Sequence, residues 1–524
     1  MKSRIFGTRG TARSSAVARR GAVALLAVGA LTLSACGGDD SSSSGGSSGG
    51  GDEITLKIGM GTDAESLDPP NFLISADLSR IDLIFDRLVK LSPDGEIQPG
   101  LATSWEPVDD VTWTFTLREG VTFHDGTEFN AEAAKAVLER SQTQDQGEAF
   151  LGVIDTIEAP DATTLTLKLS RPYASILNNL AVPVAAMYSP ASIEKYGDTV
   201  GQNPVGTGPF KFVEWQMNAK LVLEANDDYW GDAPTVDRVE LIPIPETSTR
   251  LSALRSGEVD VIENPNPDEV DSLEAEGITA VIEPKARPIF LGINTKVVTD
   301  PQVRKAIAMA IDKEAIVEAV LEGLGTPATD SLVTPAFRGD LDPVGIDHDV
   351  AGAKALLAGK SPADLTFRVV VPTERYLRDT AAVEVIQSQL AEVGITLNMD
   401  IRDSGAWYQA LLDRDTELYW LGWGLNSYDP GDLFTRLFKS GAVNNMSQLE
   451  SPTVDGLIAQ LEGAPIGSDQ RFDLYGQLET AIVEDEVAVV PIYHSVNLFA
   501  ARKGVTGFHT TPGELLDLSK VKVG

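Results

Sequence analysis

The apolar residues of this chain recur with two different periods, and each period predicts a different kind of element. Residues 111–117 read VTWTFTL, with an apolar side chain at every second position, and residues 164–169 and 395–401 alternate in the same way. A period of two is typical of a strand with one buried face. Asp125-Gly126 lies between short apolar runs and predicts a tight hairpin turn.

Helical spacing appears further along the chain. Apolar residues four positions apart run from Val303 to Ile311, directly after Asp300-Pro301. An aspartate followed by proline suits the first positions of a helix. We therefore expect one helix that begins here and ends near Gly323.

A second helical stripe predicts an αβ unit. In residues 380–394, apolar side chains are spaced three and four apart, and the pattern stops at Gly394. The chain then passes directly into the alternating segment 395–401. Strands that alternate with helices predict an α/β fold.

The first 35 residues have the pattern of an export signal. Six basic residues and no acidic residue occupy positions 1–20, and residues 21–35 contain no charge. An apolar run of this length is too short to span a bilayer as a helix. We interpret residues 1–35 as a signal peptide. The Arg19-Arg20 pair leaves open whether export follows the general or the twin-arginine route.

Cys36 is the only cysteine in the chain, and it follows the residues LSA. This stretch resembles the lipobox of bacterial lipoproteins, in which the cysteine is lipidated and becomes the new N-terminus. Two or more acyl chains give stable membrane attachment. The rest of residues 36–52 is rich in Gly and Ser, a composition typical of a flexible tether. We expect an extracytoplasmic protein, anchored by lipid to the outer face of the cell membrane.

This hypothesis makes a direct prediction for Cys36→Ala. Without the thiol there is no acylation site, so the protein should move from the membrane fraction to the medium. Ser44→Ala, in the same Gly/Ser stretch, is the matched control and should stay with the membranes. Fractionation and immunoblotting measure both, and a Cys36→Ala protein that still pellets with membranes contradicts the anchor.

Composition excludes one class of partner. The 524 residues carry a formal charge of −35, and removing the six basic residues of the signal leaves 36 basic against 77 acidic groups, or −41. Such a surface repels nucleic acid, whose binding depends on Lys and Arg. With one cysteine, no intramolecular disulfide forms. The mature length predicts two or three subdomains.

No sequence pattern indicates catalysis or a bound metal. The few histidines are far apart, no cysteine pair is available for zinc, and we expect no cofactor, metal ligand or catalytic residue. The histidines are His124, His348, His494 and His509. The pattern favours a binding protein over an enzyme. A lipoprotein enzyme, and a sensor that binds without transport, stay as alternatives.

An aromatic concentration favours a ligand cleft. Residues 407–428 hold three of the seven tryptophans and are interrupted by glycines, which indicates loops. Wide aromatic faces with a few polar groups are typical of ligand sites. The aromatic residues of this window are Trp407, Tyr408, Tyr419, Trp420, Trp423 and Tyr428.

From about residue 53 onward the chain resembles the family 5 extracytoplasmic solute-binding proteins of ABC importers, which include oligopeptide, dipeptide and nickel binders. The resemblance rests on short motifs in the family's order. They are ESLDP at 65–69, DGEIQPGLA at 94–102, the segment 113–126, NPVGTGPF at 203–210, NDDYW at 226–230, SGEVD at 256–260 and the helix segment from 303 to 312.

The resemblance implies a two-lobed α/β periplasmic-binding-protein clamshell, type II and cluster C-like, with an extra domain on the first lobe. Lobe I would combine residues 53–85, 206–290 and 496–524, the extra domain would be 86–205, and lobe II would be 291–495. It also implies hinge closure over a small solute. The expected partners are the permease and ATPase subunits of the importer, and we expect a monomer.

Some site residues carry over from the family and differ from its pattern. In the family's peptide binders, the loop after Gly-Trp carries an aspartate that pairs with the peptide ammonium, and the matching position here is Asn426. Asp429 is a possible substitute. The family's arginine three residues before that tryptophan, a carboxylate partner, is Trp420 here. Both ionic anchors are therefore missing or displaced.

Further candidates follow from the same resemblance, which places Asn264 at a cleft asparagine, Phe290 at an aromatic position near the hinge and Tyr493 at the return to lobe I. Each is equally compatible with packing or hinge geometry. We expect a cleft of rings and neutral polar groups instead of fixed ions. The ligand is then a peptide, slightly favoured by its frequency in the family, or an oligosaccharide stacked on Trp407, Trp420 and Trp423, and a nickel chelate is less favoured.

Overall fold

The computed structural model describes residues 53–524 except positions 73, 74, 338, 340 and 374. The predicted signal peptide, the tether and Cys36 lie outside the described residues. Residues 53–524 form one compact unit.

Twenty-one strands are present in the described part of the chain, and most are short. They are β1 Thr55–Met60, β2 Val89–Leu91, β3 Ile97–Pro99, β4 Ala102–Pro107, β5 Thr112–Leu117, β6 Ile154–Glu158, β7 Thr164–Leu169, β8 Phe210–Gln216, β9 Lys220–Ala225, β10 Arg238–Pro243, β11 Val261–Glu263, β12 Thr279–Ile293, β13 Thr326–Pro327, β14 Thr366–Pro372, β15 Thr396–Arg402, β16 Leu418–Gly422, β17 Val489–Ala501, β18 Val505–Thr506, β19 His509–Thr510, β20 Leu516–Asp517 and β21 Lys522–Val523.

The helices lie between these strands, and several begin at a capping side chain that satisfies a free N–H group of the first turn. They are α1 Ser75–Ile84, α2 Ala131–Ser141, α3 Asp145–Leu151, α4 Ile176–Leu180, α5 Pro190–Tyr196, α6 Thr247–Ser256, α7 Val270–Ala275, α8 Pro301–Ala310, α9 Lys313–Leu321, α10 Val350–Leu356, α11 Asp379–Glu392, α12 Ser404–Leu412, α13 Pro430–Phe438, α14 Pro452–Gly463 and α15 Asp469–Glu479.

An 11-stranded mixed sheet runs through the molecule in the order β15-β14-β16-β12-β17-β11-β1-β10-β9-β8, with β13 paired to β17. At one end β14 is parallel to both β15 and β16. Towards the other end β1 is parallel to β10 and β11. A separate four-stranded antiparallel sheet has the order β4-β5-β7-β6.

The two ends of the large sheet are joined by the antiparallel pair β12 and β17. Their pairing extends from Thr279 opposite Ala501 to Gly292 opposite Val489. In the middle, residues 285–287 of β12 lie opposite Ser495 alone. Such a bulge bends the strand and redirects its side chains.

The buried apolar residues form separate clusters on either side of this strand pair. One large cluster contains side chains of β1, β10 and the four-stranded sheet, including Leu56, Phe115 and Val239. Two others pack on opposite faces of β16, one around Trp420 and one around Phe434. The four-stranded sheet therefore shares its core with the β1 end of the large sheet.

Most of the elements predicted from periodicity are confirmed. The strands β5, β7 and β15 fall on the alternating segments, and α11 covers the stripe before Gly394. Gly126 has a positive φ of 82° and closes the predicted turn through its N–H bond to the Phe123 carbonyl.

The prediction of one helix from Asp300 to Gly323 is wrong. The structure has α8 and α9 instead, separated at Ile311 and Asp312. Ile311 is extended, and the side chain of Asp312 accepts a hydrogen bond from the Ala315 N–H as a new cap. A capping aspartate inside a helical pattern is the signal that was overlooked.

Two absences hold for the described residues only. None of their helices has both the length and the apolar character needed to cross a membrane. Within the same residues, no three His, Cys, Asp or Glu side chains are grouped so that they could hold a metal ion.

Candidate functional site

A largely enclosed cavity lies where loops from one end of the large sheet meet residues from the N-terminal part of the chain. About 90 Å³ of it is open to the centres of water molecules, so it is large enough to hold water. Its walls are formed by Phe72, Gln146, Phe150, Arg287, Arg375, Tyr376, Trp407, Tyr408, Leu421, Gly422, Trp423, Gly424, Asn426, Asp432, Arg436 and Asn444.

Sheet topology explains why these residues meet. The strands β14, β15 and β16 run parallel, so their carboxyl ends lie at one edge. The chain leaves β14 towards Arg375 and Tyr376, leaves β15 towards Trp407, and leaves β16 towards Trp423 and Asn426. The carboxyl ends of parallel strands are a common place for ligand sites in α/β proteins.

The facing wall comes from a different part of the chain. Phe72 precedes α1, while Gln146 and Phe150 lie on α3. The guanidinium carbon of Arg436 lies 3.6 Å from the centroid of the Phe150 ring, and Arg436 Nη2 donates to the Ala149 carbonyl at 3.2 Å. These contacts hold the two walls together over the cavity.

Arg375 is a cation held against aromatic rings. Its guanidinium carbon lies 5.0 Å from the centroid of the Trp407 ring, and its Nε donates to the Tyr376 hydroxyl at 3.2 Å. Among the described residues it has no carboxylate within ion-pair distance. Stacking of this kind fixes the plane of a guanidinium and leaves its edge free for a planar anion.

Asp379 holds the backbone of this loop from below. It accepts from the N–H groups of Arg375 and Tyr376 at 2.9 and 2.8 Å, and from Trp420 Nε1 at 2.8 Å. Burial raises the pKa of Asp379 to about 7 despite these donors. The carboxyl is only 2% exposed and cannot reach a ligand.

Arg287 lies in the bulge of β12, and its charge is balanced. Its Nε and Nη2 are 2.7 and 2.6 Å from Glu514 Oε1, and Lys285 pairs with the same carboxylate. Nη1 donates to the Gly422 carbonyl at 2.9 Å, which Tyr376 also contacts. Arg287 therefore fixes the end of β16 at the cavity floor.

Asp432 is the one acidic residue among the cavity walls. It forms an ion pair with Arg436, four residues further along α13. Both side chains are about nine-tenths buried. The pair is therefore largely shielded from water, and neither charge is left over for a ligand.

Two neutral polar atoms in the walls have no partner among the described residues. They are the indole Nε1 of Trp423 and the side-chain oxygen of Asn426, and both are buried. Buried polar atoms are usually hydrogen-bonded. Both residues line the cavity, but these two atoms are covered by protein in the described conformation.

Of the residues predicted from sequence to bind ligand, Trp407, Trp423 and Asn426 line the cavity. Trp407 is fully buried and donates to the Trp420 carbonyl at 3.2 Å, so only part of its ring can face a ligand. A ligand-binding role for these three residues stays a prediction.

The structure places Phe290, Trp420 and Tyr493 away from the cavity walls, and a ligand-binding role for them stays a prediction. All three are fully buried on strands that lie inside the sheet. Trp420 is on β16, whose two faces are both covered by core side chains. Their aromatic rings fill the interior and do not line the cavity.

Asp429 and Asn264 also lie away from the cavity walls. Asp429 caps α13 and is paired with Arg471 at 2.6 Å, with Ser175 and Tyr475 donating to it as well. Asn264 follows β11 with a positive φ of 47°, and its N–H donates to the Leu498 carbonyl at 2.8 Å. Asp429 is thus buried and paired here, and its substitution for the missing aspartate stays a prediction.

The expectation of a cleft without fixed ions is also wrong, because the walls contain three arginines and one aspartate. Sequence reasoning missed Arg375 because the strand before it, FRVVVP, was not identified. Since that strand leads into the αβ unit at 380–401, the loop between them is a loop at a strand's carboxyl end. Arg375 and Tyr376, which are adjacent in this loop, were the sequence signal that could have identified it as part of a site.

Two distant parts of the chain, residues 72–150 and 287–444, form the walls of one cavity. This arrangement is that of a two-lobed binding protein. Residues 96–445 match the family model described as bacterial extracellular solute-binding proteins, family 5 Middle. The chain belongs to this family.

Relatives and solved structures extend the match to most of the chain. The dipeptide-binding protein of Escherichia coli K12 is 28% identical over 83% of this chain and 88% of its own length. The structure of DppA from Helicobacter pylori in complex with the peptide STSA superposes with a TM-score of 0.80 at 26% identity, over 90% of this chain and 98% of that one. AgaA from A. tumefaciens R10, in complex with agropinic acid, gives 0.78 at 28% identity over 90% and 99%.

The Asp429–Arg471 pair predicts a large stability effect. Asp429→Asn should lower the free energy of unfolding by about 3–5 kcal/mol, because it leaves a buried arginine without its counter-charge. Lys296→Ala, which breaks the exposed pair with Glu450, should cost about 1 kcal/mol or less. Urea denaturation measures both, and equal effects would contradict the assigned role of the buried pair.

The same variant should change the pH dependence of stability. Burial alone would raise the pKa of Asp429, but Arg471, Ser175 and Tyr475 hold it below its usual value. A depressed pKa in the folded state stabilises the protein above the unfolded pKa, and this stabilisation is lost as pH falls through the folded pKa. The decline in stability on acidification should therefore be shallower in Asp429→Asn.

Proposed function

We propose that this protein captures a small peptide-like solute between two lobes and delivers it to an ABC importer in the membrane. The observation that carries the proposal is the cavity itself. Its walls come from two distant parts of the chain, and they present a cation together with aromatic rings and polar side chains. These are the groups that bind a carboxylate and a peptide unit.

Arg375 is assigned to the ligand carboxylate. Its guanidinium is stacked on Trp407 and has no carboxylate partner among the described residues. Arginine and carboxylate form two parallel hydrogen bonds, which gives both affinity and orientation. The ionic anchor absent from position 420 is thus supplied from another loop.

Trp423 and Asn426 are assigned to a peptide unit. A peptide carbonyl would accept from Trp423 Nε1, and a peptide N–H would donate to the Asn426 side-chain oxygen. Both atoms are covered by protein in the described conformation, so these contacts require the two side chains to turn towards the ligand.

Contacts between distant segments support a closing motion. Ser175 Oγ donates to Asp429 at 2.6 Å, and Asn178 Nδ2 donates to the Ser427 carbonyl at 2.9 Å. Both contacts link the segment around α4 to the start of α13. If the lobes separate, these bonds are exchanged for bonds to water, which is how hinge closure becomes reversible.

We assign residues 53–85, 206–290 and 496–524 to lobe I, 86–205 to the extra domain and 291–495 to lobe II. The division of the apolar core supports this assignment, because one large cluster lies almost wholly within the first two parts and two others almost wholly within the third. The strands β12 and β17 are then the hinge.

Attachment to the membrane completes the proposal. Lipidated Cys36 and the tether would hold the carrier near the permease and ATPase subunits and raise its effective concentration there. The family's description as extracellular solute-binding proteins agrees with an extracytoplasmic location.

Arg375→Gln tests the assignment. A thermal-shift screen of di- and tripeptides first identifies a stabilising peptide, since a ligand at 100 times its Kd adds about 2.7 kcal/mol. For that peptide, Arg375→Gln should weaken binding by about 1.5–3 kcal/mol, the value of a charged hydrogen bond. Isothermal titration calorimetry measures the loss.

Arg255→Gln is the matched control, because Arg255 lies on the surface in an exposed pair with Glu276. Its affinity should equal that of the unmodified protein. Circular dichroism confirms that both variants are folded. An unchanged affinity in folded Arg375→Gln would refute the carboxylate assignment.

A further inference from the structure

The extra domain shares its core with lobe I, and one helix of it also contacts lobe II. Ile176 and Leu180, four residues apart on α4, are fully buried in the apolar cluster that contains side chains of β1 and of the four-stranded sheet. Residues four apart lie on the same face of a helix, so this face of α4 is fixed to the core of lobe I and the extra domain. Contacts of α4 with lobe II are therefore contacts between the two proposed lobes.

Ser175, which directly precedes α4, contacts both members of the buried Asp429–Arg471 pair. Its hydroxyl donates to Asp429 Oδ2 at 2.6 Å and accepts from Arg471 Nη2 at 3.0 Å. All three residues are at most 5% exposed, and hydrogen bonds with charged partners are the stronger ones. The other hydrogen bonds of the pair lie within residues 429–475. Lobe II can therefore separate from Ser175 and keep its ion pair intact.

Two more hydrogen bonds cross between the same two parts of the chain. Asn178 Nδ2 donates to the Ser427 carbonyl at 2.9 Å, and the Ala174 N–H donates to the Glu462 carbonyl at 3.1 Å. Ser427 belongs to the loop after β16, which forms part of the cavity wall. The bond from Asn178 therefore connects the extra domain to the solute site.

Building on the closing motion of the proposed function, we propose that the extra domain is a latch, and that Ser175 and Asn178 hold lobe II whenever the lobes meet, with or without a solute. Neither residue lines the cavity. Both are positioning residues, because they stabilise the closed arrangement of the cavity walls without touching the solute. The latch shifts the equilibrium of ligand-free molecules towards the closed state, and a bound solute shifts it further.

Such a latch reduces the free energy that the solute has to supply. A solute that binds only the closed state loses apparent affinity in proportion to the fraction of molecules that are open. The latch raises the closed fraction, and it does so equally for every solute because it contacts none of them.

Hydrogen–deuterium exchange of the ligand-free full chain tests the latch. The Ala174 amide is bonded across the lobes, so it exchanges when they separate. Ser175→Ala combined with Asn178→Ala removes two side-chain groups that bond across the lobes. Exchange of the Ala174 amide should become at least about tenfold faster, the equivalent of two net hydrogen bonds. Small-angle X-ray scattering of the same ligand-free samples should give a larger radius of gyration, because more molecules are open.

Ser192→Ala combined with Asn226→Ala is the matched control, because it removes the same two kinds of buried group. Ser192 Oγ donates to the Ser189 carbonyl at 2.7 Å, and Asn226 Nδ2 donates to the Gly208 carbonyl at 3.0 Å. The first bond lies within the extra domain and the second within lobe I. The control should therefore keep both the exchange rate of the Ala174 amide and the radius of gyration.

Faster exchange at Ala174 together with a larger radius supports the latch. Faster exchange with an unchanged radius indicates local loosening of α4 and overturns the proposal, and unchanged exchange overturns it whatever the radius. If circular dichroism shows that the double variant does not fold, each single variant takes its place, with a smaller increase in exchange and radius expected. No solute is needed for these measurements, so the latch can fail while the proposed function, which fails when no peptide binds, still stands.

Discussion

The structure depends on the pairing of two long strands. Among the described strands, β12 and β17 form the pair through which the two ends of the large sheet are connected, so they determine how the two halves are placed. The bulge at residues 285–287 interrupts this pairing near the cavity. It directs Arg287 towards Glu514 and the end of β16, and thereby connects the hinge to the cavity floor. A change in the geometry of β12 would therefore move Arg287 and with it the cavity floor.

A second constraint, the cost of burying charge, shapes the cavity. Asp429 and Arg471 are buried together, as are Asp432 and Arg436, and each charge has a counter-charge. Arg375 differs because the described residues give it aromatic rings and a hydroxyl but no carboxylate. When the site closes over this cation, an anionic ligand would supply the missing counter-charge. The need of a buried charge for a counter-charge, which also applies to the pairs in the interior, therefore favours capture of the solute.

Sequence reasoning predicted the fold class, several elements and part of the site. Period-two and helical patterns are local, so β7 and α11 could be read directly. The break at Asp312 was overlooked although a capping aspartate marks it. The burial of Trp420 could not be read in this way, because a tryptophan near glycines has the same local sequence in a sheet interior and in a loop. Charge in the cavity was missed because Arg375 and Trp423 are 48 positions apart in sequence. Only the parallel register of β14 and β16 brings their loops to one edge.

Solution X-ray scattering tests the central claim most directly, since the claim is that two halves close over a carboxylate-bearing solute held by Arg375. The account predicts that a saturating ligand lowers the radius of gyration of the unmodified protein. At a ligand concentration just sufficient to saturate the unmodified protein, Arg375→Gln should be only partly occupied, so its radius should stay closer to that of the ligand-free state. An unchanged radius in the unmodified protein, despite binding measured by calorimetry, would contradict closure.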